Sequence, residues 1–325
     1  MIGAGGAGLS GQPGEPGLFV AREGLVMAVE GRRDDWLEVR TPCDTIMWVD
    51  GRTVAFTPTP TRPGSDRGRP GGLADAVVVL DPGHGGPNRG ATGPGGLAEP
   101  AVNLDIARRA ADLLRTSHTV DWGSGVIGTG QGTGAVGTVW LTRTAGPEDA
   151  DYEAGLLFRT RVADMAGADA LVSIHNNADP DGPYDGPGSE VFYSVTSDES
   201  RRLAGILMEE FRRSFSTFDI DWVGDTDAGA KYRLRSDGTT DYYGILRNAG
   251  VPAVITEGAY ISNPAEEALL GTVEFRQAYA EAIYRALIRF LTTPDPGSFF
   301  TEPYERFVEA GRGDPLPTCQ IPVQP

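Results

Sequence analysis

The sequence predicts an α/β fold, a twisted and mostly parallel sheet with helices on both faces and a small N-terminal β segment ahead of it. Three observations predict it. Ala76–Leu80 (AVVVL) is an unbroken apolar run, the mark of a strand buried on both faces. Apolar residues three and four apart recur after it, as in Val102, Ile106, Ala110 and Leu113, which is one face of a helix. Strand-like and helix-like stretches then alternate as far as residue 292, with no internal repeat.

Taken in order, residues 1–17 are Gly-rich and read as a flexible leader. Residues 18–57 carry short apolar clusters, among them Leu18–Val20, Trp36–Val39 and Ile46–Val49, separated by Gly31, Asp34, Pro42 and Gly51. Short strands with regular turn signals make this a β-rich segment. It resembles, loosely, a small Src-homology-3-like barrel, and a hairpin extension of the main domain fits nearly as well. Residues 58–75, rich in Pro, Gly and Arg, read as a linker. The strand at Ala76–Leu80 runs into a sharp turn at Asp81–Gly86, and Pro100 suits the first turn of the helix that follows. The pattern continues with a strand over 138–142, a helix over about 154–167, and strands over 170–174 and 190–194. A helix over 198–215, a strand over 253–256 and a helix striped by Phe275, Tyr279, Ile283 and Leu287 complete the domain. Gly123–Gly137 reads as a mobile insert, and 219–247 as a long polar loop bearing Tyr232, Tyr242 and Tyr243. A Pro-rich tail, 293–325, carries a short helix at 302–310.

Lys and Arg number 28 against 45 Asp and Glu in 325 residues, a formal charge of −17. Such a chain lacks the basic surface that nonspecific binding to nucleic acid or anionic membrane needs. No apolar run reaches the roughly 18 residues of a membrane span. Cys43 and Cys319 are too few for a disulfide scaffold or a Cys-rich zinc module. They are either unrelated thiols or one bridge between the chain's ends, which requires an oxidising compartment. Met1–Gly17 has no basic stretch followed by an apolar core, so no intact signal peptide is expected there.

Ligands of open α/β sheets sit beyond the C-terminal ends of strands. His84 follows the first strand by four residues, His175 directly follows ALVSI, and Glu257 directly follows AVIT. Glu99 lies at the start of the helix after the first strand. Two of the chain's three histidines thus share one rim with two carboxylates. Imidazole and carboxylate suit a catalytic zinc with three protein ligands and an open position. Taken singly, each has a plainer reading, such as a hydrogen-bonded histidine or a carboxylate at a helix start. Their conjunction on one edge favours the metal. His118 has no such company and reads as structural.

Several segments together then resemble a known family. These are VVVLDPGHGG with a following GATG, GLAEPAVNLDIARRAADLL, VWLTR, FRTRVADMAGADALVSIHNNA, GSEVFYS, SRRLAGILMEE and LRNAGVPAVITEGAYISNPAEEALL. In this order, from about Val77 to Leu291, the chain resembles the zinc-dependent N-acetylmuramoyl-L-alanine amidases, which cut the glycan–peptide junction of peptidoglycan. The resemblance implies one Zn²⁺ held by His84, Glu99 and His175, with Glu257 as the catalytic carboxylate. It places Arg159 and Asn177 as supporting residues. The partners implied are the glycan strand and stem peptide, with no activating protein identified, and the location is extracellular or the cell envelope. Tyr232, Tyr242 and Tyr243 are candidates for contact with the substrate. Asp164, Pro100 and Tyr260 depart from the family's usual Asn, Lys and Phe, and none of these changes removes a ligand. Between His175 and Glu190 the short Gly/Pro loop leaves no room for the autoinhibitory helix of some relatives. A catalytically silent wall-binding module and another zinc hydrolase, such as a two-metal aminopeptidase, are the alternatives.

Overall fold

The computed structural model describes residues 2–3, 6–21, 25–56, 72–130, 132–144, 155–179, 188–220, 228–301, 303 and 319. Most of the expected linker and the expected helix at 302–310 lie outside them, as do residues 180–187 between His175 and Glu190.

The N-terminal sheet contains β1 (Ala7–Ser10), β2 (Phe19–Ala21), β3 (Ala28–Arg33), β4 (Trp36–Arg40) and β5 (Ile46–Asp50), in the order β2-β1-β5-β4-β3. Its pairings are all antiparallel. In β4, Leu37 and Val39 are buried while Trp36, Glu38 and Arg40 are partly exposed, the alternation of a half-buried strand. Sharp turns at Asp34 and Asp44, both with positive φ, join β3 to β4 and β4 to β5. The glycine-rich start is more than a leader, because Ala7 and Leu9 alternate inward from β1 and are buried. That alternation is easily lost among flanking glycines when the sequence is read alone.

The main domain follows: β6 (Val77–Pro82), α1 (Glu99–Leu114), β7 (His118–Val120), β8 (Ile127–Thr129), β9 (Thr138–Leu141), α2 (Leu156–Ala166) and β10 (Ala170–Asn177). It continues with β11 (Glu190–Tyr193), α3 (Asp198–Phe215), β12 (Gly229–Lys231), α4 (Gly244–Asn248), β13 (Ala253–Tyr260), α5 (Pro264–Leu270) and α6 (Val273–Thr292). Six strands form one sheet in the order β12-β11-β13-β10-β6-β9. Strands β13, β10, β6 and β9 run parallel, whereas β11 pairs antiparallel with β13 and parallel with β12. A parallel neighbour requires a crossover, and no helix intervenes among the described residues between β10 and β11. The α1, α3 and α6 side holds the larger core, including Val78, Leu80, Phe211, Tyr279 and Leu287. The α2 and α4 side holds Val79, Leu171, Phe192 and Ile255.

The Gly-rich insert supplies β8, which pairs with β7 just before it to form a bonded hairpin. Arg285 donates to Gly125 O (2.9 Å) and Arg213 to Trp122 O (2.8 Å), so the insert is tied to α6 and α3. His118 lies in β7 with its ring edge-on to Tyr284. After α6, the chain crosses α3 and runs beside β12, where Ala230 N donates to Phe299 O (2.9 Å) and Thr301 N donates to Ala230 O (3.0 Å). Cys319 forms a disulfide with Cys43. No helix among the described residues is long and apolar enough to cross a membrane.

Candidate metal centre

The site is built at the C-terminal edge of β6, β10 and β13, where side chains of neighbouring strands come level. His175 is in register with Glu257, and Glu257 with Glu190 on its other side. His84 sits beyond β6 with φ +60, a conformation few side chains adopt outside turns and functional sites. Glu99 opens α1 and reaches back across the rim.

Glu99 joins the two imidazoles. Its Oε2 lies 3.2 Å from His84 Nε2 and its Oε1 lies 3.2 Å from His175 Nδ1. One donor atom from each of the three residues falls within 4.8 Å of the others, the one such group among the described residues. The rings meet edge to face, 4.7 Å between centroids. Close backbone makes this convergence possible. A Cβ on Gly83 would lie 2.2 Å from His175 Cε1, and one on Gly90 would lie 2.6 Å from Glu99 Oε2.

Hydrogen bonds fix each group. Asn88 Oδ1 lies 2.9 Å from His84 Nδ1 and holds the ring with Nε2 turned to the cluster. Glu99 accepts from Ala91 N (2.9 Å), Asn103 Nδ2 (3.2 Å) and Asn176 N (3.2 Å). Burial opposes charge on Glu99, but hydrogen bonds from His175 and His84 hold its carboxyl well below the usual range. Burial depresses His175, against the pull of Glu99. His84 is partly buried, which lowers it, yet Glu99 and Asn88 raise it above the ordinary imidazole value. An anionic carboxylate between two imidazoles, one of them biased to neutrality, is a donor set that fits a divalent zinc ion.

Beneath the site, two buried arginines grip the loop that carries His84. Arg159 donates to Asp81 Oδ1 (2.6 Å), Pro82 O (2.9 Å) and His84 O (2.9 Å). Arg143 donates to Pro82 O (2.9 Å), Gly83 O (2.9 Å) and Pro100 O (2.7 Å). Asp81 is buried, but Arg159, Ser173 and Thr142 keep it below the ordinary carboxylate value. Arg159 thus ties α2 to the backbone of the His84 loop. The sequence reading missed Arg143 and Asp81, although both lie in the segments VWLTR and VVVLDPGHGG.

Glu257 stands next to the cluster with Oε2 buried and unbonded among the described residues. Burial, then the charges of Glu99 and Glu190, push its carboxyl well above the usual range. Glu190, also missed, is buried against Lys231 Nζ (2.5 Å) and accepts from Asn177 Nδ2 (2.6 Å). Asn177 therefore ties the end of β10 to β11.

The three tyrosines separate. Tyr243 packs on Phe192 (4.9 Å between centroids) on the α2 and α4 side, and burial and the charge of Glu257 both raise its phenol. Tyr242 is edge-on to Tyr243 and lies under the Arg233 guanidinium, 3.7 Å from the ring centroid. Tyr232 packs on Tyr193 and against the core on the α1, α3 and α6 side. Tyr232 directly follows β12, whereas Tyr242 and Tyr243 lead into α4, and the polar loop's sequence gives no periodicity that separates them.

Two imidazoles and a carboxylate within reach of one another, with a second carboxyl on the neighbouring strand, would suit a metal-dependent hydrolase. The comparisons narrow that class. The family model described as N-acetylmuramoyl-L-alanine amidase matches residues 78–289, and the chain belongs to that family. It is similar to the germination-specific N-acetylmuramoyl-L-alanine amidase of Bacillus subtilis, 30% identical over 223 residues that cover 68% of this chain and 81% of that one. It is also 30% identical to N-acetylmuramoyl-L-alanine amidase AmiA of Escherichia coli, over 66% of this chain and 75% of that one. Among solved structures it resembles N-acetylmuramoyl-L-alanine amidase AmiC2 of Nostoc punctiforme, with a TM-score of 0.50 and 27% identity, covering 68% of this chain and 99% of that one. The catalytic domain of CwlV from Bacillus (Paenibacillus) polymyxa matches with a TM-score of 0.50 and 25% identity, covering 66% and 98%.

Proposed function

We propose that the chain is a zinc-dependent N-acetylmuramoyl-L-alanine amidase that hydrolyses the amide between the lactyl group of N-acetylmuramic acid and the L-alanine of the stem peptide. The observation that carries this reading is the convergence of His84, Glu99 and His175 beside Glu257, inside the segment that matches the family. When bound, zinc supplies Lewis acidity, which makes water a nucleophile near neutral pH and polarises an amide carbonyl. His84, Glu99 and His175 hold the ion. Glu257 takes the proton from the attacking water and delivers it to the alanine nitrogen as the C–N bond breaks. The products are a lactyl carboxylate and a free α-amino group. Arg159 and Arg143 keep the His84 loop in place, and Glu190, held by Lys231 and Asn177, fixes the far side of Glu257. Tyr232, Tyr242 and Tyr243 are the aromatic candidates for contact with the substrate.

The partners are the peptidoglycan glycan strand and its stem peptide, and the enzyme acts in the envelope or outside the cell. The Cys43–Cys319 disulfide supports that location, because such bonds persist in oxidising compartments. The test is metal analysis of the purified chain combined with mass spectrometry of digested peptidoglycan. One zinc per chain and free stem peptides beginning with L-alanine are expected. Peptides still attached to muramic acid, or cleavage undiminished after removal of all metal, would overturn the assignment.

A further inference from the structure

The five-stranded N-terminal sheet precedes the segment that matches the family, which begins at residue 78. Its core is not its own. Leu9, Leu37, Val39, Met47 and Val49 of the sheet form one cluster with Phe158 and Val162 of α2, which are 0% and 3% exposed. Leu25 joins that cluster, while its neighbour Val26 joins Val79, Trp140 and Ala163 in the core beneath the main sheet. Helix α2 is therefore covered on two sides. At 100° per residue, Phe158 and Val162 lie about 90° around the helix from Arg159, Ala163 and Ala166, which face the main sheet. Phe158 adjoins Arg159, whose guanidinium reaches Asp81 and the carbonyl of His84. The wall of the N-terminal sheet and the loop of a metal ligand thus meet on one turn of one helix.

We propose that the N-terminal sheet is a positioning element of the metal centre, acting through α2 and Arg159, and not a separate wall-binding module. This rests on the reading that His84, Glu99 and His175 hold zinc. Packed interiors transmit displacement because they have no slack, so loosening the sheet's contact with α2 lets Arg159 withdraw from the His84 carbonyl. A separate module would present its own core and leave α2 indifferent to it.

The whole chain tests this in Val162→Ala, in Val49→Ala from the sheet side, in both together, and in Val162→Ile, all below their melting temperatures. Hydrogen exchange by mass spectrometry reads peptides spanning 82–90, and chelator competition reads the zinc dissociation constant. Each alanine variant should speed exchange in that loop and raise the dissociation constant, by about tenfold for a supporting shell around metal ligands. The double variant should add little to either single one, and Val162→Ile should restore both readings. Cosedimentation with insoluble peptidoglycan, measured on a Glu257→Gln background, should stay unchanged. Parental exchange and zinc affinity in the alanine variants would overturn the proposal, and loss of cosedimentation beside them would point to a separate wall-binding module. Loop exchange needs no bound metal, so a failure of the zinc reading would show separately, as a parental chain that takes up none.

Discussion

A carboxyl oxygen that is buried and, among the described residues, unbonded, as Glu257 Oε2 is, is poised to hold or release a proton. Glu257→Gln keeps the shape and loses that proton traffic. It should retain zinc and lower amide hydrolysis by about 10²–10⁴-fold, measured on soluble muramoyl peptide beside metal content. Hydrolysis at the parental rate would remove Glu257 from the chemistry. His84 is raised above the ordinary imidazole value, so protons compete with metal for it as pH falls. Zinc content should therefore drop on the acid side, and retention well below about pH 4 would contradict the ligand set. Glu266 offers a different titration. Burial raises its carboxyl to about 8. Above the ordinary carboxylate value the unfolded chain has released this proton while the folded chain still holds it. The stability linked to it is thus complete at low pH and lost as pH rises through about 8. Glu266→Gln cannot ionise, so it should melt several degrees above the parent at pH 9 and lose that advantage near pH 5. Parallel melting curves across that range would show that Glu266 does not titrate. At this scale His84, His175, Glu99 and Glu257 were legible because strand ends and a helix start fix where they emerge. Arg143, Asp81 and Glu190 were not, because a buried charge satisfied by backbone carbonyls or a distant lysine leaves no local pattern.

Elements place these residues by register and coverage. Strand β11 brings Glu190 level with Glu257, and β12 brings Lys231 within reach of it from the next strand. Both members of the pair are 2% exposed. Lys231→Met strands the carboxylate in a dry site and should cost about 3–5 kcal/mol of stability, by chemical denaturation. Adding Glu190→Gln should recover part of that loss, and an equal or larger loss in the double variant would deny the pairing its role. The apolar run of β6 and the spaced stripes of α1 and α6 announced themselves, since burial on one or both faces writes a period into the chain. Strand β1 and the β7–β8 hairpin did not, because glycine hides alternation and the ties to Arg285 and Arg213 come from helices far along the chain.

Across the whole molecule, the disulfide joins positions 276 residues apart and sits against the core shared by the N-terminal sheet and α2. The chain-entropy account gives such a closure an upper value of about 5 kcal/mol. Replacing both Cys43 and Cys319 with serine should lower the melting temperature, and an unchanged value would mean the bridge constrains nothing. The segment that crosses α3 has a wider consequence. Gly205 makes room for it, since a Cβ there would lie 2.6 Å from Phe300 Cζ and 2.9 Å from Ser298 N. By bonding to Ala230, this segment occupies amide and carbonyl groups that β12 would otherwise offer to another molecule's strand. An enzyme whose sheet margin is blunted in this way can sit crowded among its own copies without seeding fibrils. Gly205→Ala should pry the segment loose and convert a clear concentrated solution into one that scatters light.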